Sequence, residues 1–114
     1  MTPAFKYWED GVRLKSVAPY IAGKVHGKQI KWYRNGQIES EETYKDGIKF
    51  GLHTFWYTNG QKRTQGKYKD GKRDGLWTEW SKDGGKTYDR LLNKGLNFYK
   101  KECVNKKERC SSYP

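Results

Sequence analysis

Short runs of alternating apolar and polar residues, broken by glycine, fill most of the chain. Leu52 to Thr58 is rich in β-branched and aromatic residues and lacks proline, so it predicts a strand. Asn59-Gly60 follows and predicts a type I′ turn, because both central positions of that turn need positive φ. Gln61 to Lys69 predicts the return strand. Asp70-Gly71 opens the next turn, and Gly75 closes it before Leu76. Each unit is thus a β-hairpin plus a glycine-bracketed connector. Alternation sends Leu52, Thr54 and Trp56 to one face and His53, Phe55 and Tyr57 to the other.

The unit recurs every 24 residues. Trp32, Trp56 and Trp80 keep that spacing. So do Gly36, Gly60 and Gly84; Gly23, Gly47, Gly71 and Gly95; and Gly27, Gly51 and Gly75. A fixed period of this size indicates stacked repeats. Neither a helical period nor proline interrupts residues 23–95. The expected fold is all-β: an elongated single-layer antiparallel sheet of consecutive hairpins. Residues 1–22 read as a degenerate N-terminal capping repeat, with Trp8 placed 24 before Trp32 and Tyr20 placed 24 before Tyr44. Asp10-Gly11 falls one residue early there. Pro19 in the return strand of that repeat fits an edge or cap. Residues 23–95 hold three full repeats. Residues 96–114 add a strand and a Cys-containing tail that would fold over the last edge.

Two aromatic rows follow from superposing the repeats. Trp32, Trp56 and Trp80 form one, flanked by Leu52 and Leu76. Tyr33 and Tyr57 form another on the opposite face until Ser81 breaks it, and Tyr44 and Tyr68 match on the return strands. These rings are either the core of a thin sheet or a contact surface, since Trp and Tyr dominate binding hot spots. Of the rows, Tyr33 and Tyr57 are the better expectation for exposure.

Composition agrees with the thin core. Leu, Ile, Val and Phe total 18 of 114 residues, while five Trp and nine Tyr supply the apolar surface. The net charge of +11 is spread along the chain and suits an acidic protein, anionic lipid or nucleic acid. Lys62, Arg63, Lys67, Lys69, Lys72 and Arg73 are the densest basic stretch, either an anionic-lipid surface or a solvated hairpin edge. Lys31-Trp32-Tyr33-Arg34 could stack bases, but alternation in a half-exposed strand makes the same pattern, so nucleic acid ranks below protein and lipid. No apolar run is long enough to span a membrane as a helix, and no signal-peptide pattern opens the chain. Cys103 and Cys110 lie close together in a polar tail and read as a small disulfide loop, which would place the protein in a secreted or periplasmic compartment; without it the expectation is cytoplasmic.

No catalytic chemistry is expected. His26 and His53 lack metal-ligand spacing and are out of phase with each other. Glu39, Glu41 and Glu42 give way to Arg63, Gln65 and Gly66 one repeat on, so no acid–base pair recurs. Neither metal nor cofactor is expected.

The unit Trp32-Tyr33-Arg34-Asn35-Gly36 with Tyr44-Lys45-Asp46-Gly47, repeated as Trp56-Tyr57-Thr58-Asn59-Gly60 with Tyr68-Lys69-Asp70-Gly71, resembles the MORN repeat and more closely its bacterial variant. Residues 75–95 depart from it at Ser81 and Leu92. The resemblance implies a grooved, gently twisted sheet and a non-enzymatic scaffold for protein–protein contact, phospholipid association or dimerisation through sheet edges. Many bacterial variants look like YwqK-type antitoxins that neutralise a partner toxin. The repeat has no catalytic set to carry over.

Overall fold

The computed structural model describes residues 2–93 and 96–102. Within them lie β1 (Thr2–Tyr7), β2 (Leu14–Ile21), β3 (Lys24–Val25), β4 (Gly27–Trp32), β5 (Ile38–Lys45), β6 (Ile48–Lys49), β7 (Gly51–Trp56), β8 (Lys62–Lys69), β9 (Lys72–Trp80), β10 (Lys86–Asn93) and β11 (Leu96–Glu102). No helix occurs among the described residues. The strands join one open antiparallel sheet in the order β1-β2-β4-β5-β7-β8-β9-β10-β11, with β3 on β2 and β6 on β5. It measures 46 × 31 × 15 Å, the thickness of a single layer with its side chains. Cys103 and Cys110 lie outside the described residues.

Two kinds of turn alternate along the sheet, and their identities differ from the expectation. At Asn59-Gly60 only Gly60 has positive φ, at 89°. Gly60 N donates to Tyr57 O at 3.0 Å and Tyr57 N to Gln61 O at 2.8 Å, which makes a type I turn closed by a left-handed glycine. The Asn59 side chain accounts for this. Its Oδ1 accepts from Gln61 N at 3.0 Å, an Asx bond that holds Asn59 itself out of the left-handed region. The type I′ turns are at the opposite end of the strands. Asp46 and Gly47 have φ of 51° and 80°, and Asp70 and Gly71 have 52° and 82°.

The expected connectors are also strand. β6 pairs β5 directly, with Lys45 opposite Ile48. In the next repeat β9 runs unbroken from Lys72 to Trp80. Gly27, Gly51 and Gly75 mark a bulge in this return. Between Glu41↔Thr54 and Tyr44↔Lys49 the second strand carries two extra residues, and Gly51 takes φ 70° there. The bulge lifts Leu52 away from the ladder, and Leu76 one repeat later.

The N-terminal hairpin is in a shifted register. Trp8 N donates to Arg13 O and Gly11 N to Trp8 O, the same pair of bonds that Tyr33 makes with Gln37 and Gly36. Tyr7 faces Leu14 as Trp32 faces Ile38. Trp8 therefore occupies the place of Tyr33, and Tyr7 that of Trp32, because the loop after Gly11 holds one residue more than the loop after Gly36. Pro19 is not in the edge strand. It sits in β2, between β1 and β4, and is tolerated at the bulge, where it abuts Gly27.

Candidate interaction surface

Strand register sorts the side chains onto two faces. On the first, Ser40 lies opposite Lys31 and Phe55, His53 opposite Gly66, and Tyr68 opposite Gly51. On the second, Glu41 lies opposite Thr54, and Leu52 opposite Lys67.

The first face carries the buried rings. Ring centroids are 6.0 Å apart between Tyr44 and His53, 4.5 Å between His53 and Tyr68, and 5.2 Å between Tyr68 and Trp77. His53 and Trp77 are fully buried. Trp77 lies directly on Gly66: a Cβ there would come within 2.0 Å of its ring. Its Nε1 donates to Lys67 O at 2.9 Å. The neighbouring Glu42 is buried and accepts from Tyr44 Oη at 2.8 Å and Ser40 Oγ at 3.1 Å. Burial, together with that carboxylate, holds the Tyr44 phenol protonated well above its ordinary range. Burial pushes the His53 imidazole below its ordinary value. His53 Nε2 lies 2.9 Å from Thr43 O and 3.3 Å from Thr43 N.

Tyr33 and Tyr57 are not an exposed face. Both are half-buried. Tyr33 Oη donates to Trp56 O at 2.6 Å, and Tyr57 Oη to Trp80 O at 2.7 Å. Asn35 Nδ2 reaches Thr58 O at 2.9 Å and Asn59 Nδ2 reaches Lys82 O at 3.0 Å. Each loop thus binds the next, 23 residues further on. Ser81 is too short to continue the series, and its hydroxyl bonds within its own loop to Asp83 and Gly85. The repeated Tyr and Asn positions are couplings between hairpins.

Trp32, Trp56 and Trp80 are half-buried on the second face, near the loops. Trp56 and Trp80 wall a hollow of about 430 Å³ with Gln61 and Lys62. Further along the strands, Leu52 and Leu76 flank a second hollow of about 380 Å³ with Lys67 between them. Leu52 is 49% exposed and Leu76 46%, and Ile48 and Phe50 are exposed near them.

The basic stretch does not form one patch. Lys62, opposite Trp56, and Lys67, opposite Leu52, share the second face; Lys69 and Lys72 face each other beside the Asp70-Gly71 turn. Arg63 and Arg73 belong to the ring face, with their guanidinium carbons 5.8 Å from the Phe55 ring and 4.3 Å from the Trp77 ring. They cover core rings with their charged ends at the margin. Among the described residues no three His, Cys, Asp or Glu side chains converge as a metal site.

Of the four packed rings, Tyr44 and Tyr68 follow from the repeat, whereas the two fully buried ones, His53 and Trp77, do not. His53 was set aside as out of phase with His26, yet it is in phase with Trp77, 24 residues on. Gly66 falls 24 residues after Glu42, and the side chain it lacks leaves the space that the Trp77 ring fills. That complementarity was the available signal.

No curated protein matches the chain. The family model described as MORN repeat variant matches residues 25–46 and 51–70, which are two consecutive hairpins of this sheet.

Proposed function

We propose that the protein is a non-enzymatic repeat scaffold that captures an acidic protein partner on the face bearing Leu52 and Leu76. The observation that carries this reading is the pair of half-exposed leucines, raised by successive glycine bulges around a hollow with Lys67. The ring face and the loop Tyr and Asn residues are already committed to internal contacts. Apolar anchors ringed by lysine fit a partner with apolar side chains amid carboxylates. Toxin neutralisation is one form of such capture, and the net charge of +11 directs it to an acidic toxin. A partner recovered by crosslinking should bind the Leu52→Glu/Leu76→Glu variant at least tenfold more weakly, with its circular dichroism and melting unchanged. Undiminished affinity in that folded variant refutes the reading.

A second reading uses the same face. Lys62, Lys67, Lys69 and Lys72 lie on the side of Ile48, Phe50 and Leu52, a combination suited to an anionic membrane surface. Co-sedimentation with anionic but not neutral vesicles at low salt supports it, and equal sedimentation with both excludes it.

A further inference from the structure

At the N-terminal end of the ring face the row of rings stops. Where His53 and Trp77 fill the later repeats, the first has Gln29. Where Phe55 stands, it has Lys31. The space left there is a pocket of about 380 Å³ walled by Trp8 and Trp32. Ser16 lies at its centre, directly opposite Lys6 on β1 and Lys31 on β4. Strand spacing puts each lysine backbone about 4.8 Å from that of Ser16. Lys15, the extra residue of the β1–β2 bulge, also lines the pocket, with its ammonium 4.9 Å from the Trp8 ring centroid. Glu39 is the single carboxylate in the lining. Lys31 is 3.9 Å from Glu42, whose oxygens also accept from Ser40 and Tyr44. Like charges gathered across neighbouring strands destabilise a sheet unless something neutralises them.

We propose that this pocket binds a soluble, doubly charged oxyanion of the phosphate class. Its oxygens take the ammonium groups of Lys6, Lys15 and Lys31, and Ser16 and Gln29 supply neutral donors between them. The Trp8 ring walls the pocket, and its buried Nε1, which has no acceptor within the protein, is the reporter. The site is independent of the leucine face and exists only where the repeats depart from one another.

The test is titration of the ¹⁵N-labelled full chain with inorganic phosphate at constant ionic strength. The Trp8 indole resonance is assigned by its loss in Trp8→Phe. It is expected to move saturably with phosphate and not with chloride. Lys6→Gln/Lys15→Gln/Lys31→Gln should abolish the movement, and Lys62→Gln/Lys69→Gln should retain it. If the triple variant does not fold, Lys15→Gln alone should weaken phosphate binding at least threefold. Movement equal with chloride, or unchanged in the folded lysine variants, overturns the proposal. So does movement seen only with phosphatidic acid vesicles, which assigns the lysines to a membrane.

Discussion

His53 shows how a single side chain ties the sheet to pH. It is fully buried between Tyr44 and Tyr68, and its Nδ1 has no partner within the protein. Burial lowers its affinity for a proton, opposed by the bond to Thr43 and by Glu42, while Lys49 adds to the depression. The unfolded chain, titrating near the ordinary value of about 6.5, then binds the proton more tightly than the folded one. The associated stability is present above that pH and is lost as pH falls toward the folded value. The melting temperature should therefore drop between about pH 7.5 and pH 5, and His53→Gln, the residue type at the equivalent position 29, should flatten that dependence. An equal drop in His53→Gln would assign the effect to other groups.

Between elements, the coupling runs through the loops. The type I turns at Gly36 and Gly60 are joined by Tyr33 and Asn35 to the following loop, and by Tyr57 and Asn59 to the one after. These bonds link hairpins that single-layer packing would hold only weakly. Removing one hydroxyl leaves a half-buried carbonyl short of a donor, at about 0.5–1.5 kcal/mol. Tyr33→Phe/Tyr57→Phe should thus lose about 1–3 kcal/mol in urea unfolding, roughly the sum of two such bonds. Partner capture should persist, because the Leu52 and Leu76 face is untouched. Much of this element was legible in the residues. Trp-Tyr-x-Asn-Gly marked the loop, and its period placed the strands. The direction of the Tyr hydroxyls was not legible, because alternation within one strand says nothing of a carbonyl 23 residues away. The same limit produced the wrong turn type: Asn59 favours positive φ in isolation, but its Asx bond to Gln61 competes.

Across the whole molecule, packing is uneven. The rings of Tyr44, His53, Tyr68 and Trp77 span β5 to β9, and the tyrosine couplings reach the same strands. At the N-terminal edge Phe5 and Tyr7 are about half exposed, and the lysine-lined pocket lies there. In a repeat protein stability is a sum of unit and neighbour terms, so uneven packing becomes uneven opening. Amide hydrogen exchange should be slowest in β7 to β9 and faster in β1 and β2. Uniform protection at the level of global unfolding would instead make the sheet a single cooperative unit.

The sequence by itself determined the class of fold, the main hairpin strands and the positions of the turns. These depend on local chemistry repeated in phase: glycines where φ must be positive, rings and β-branched residues between them. The tertiary structure alone decided which rings became core. Trp77 is buried because Gly66 on the adjacent strand leaves room for it, and Tyr33 is committed because the next loop offers a carbonyl. It also split the basic stretch between two faces and gathered Lys6, Lys15 and Lys31 around Ser16. Those outcomes depend on register between strands, which sets what a side chain meets across the sheet.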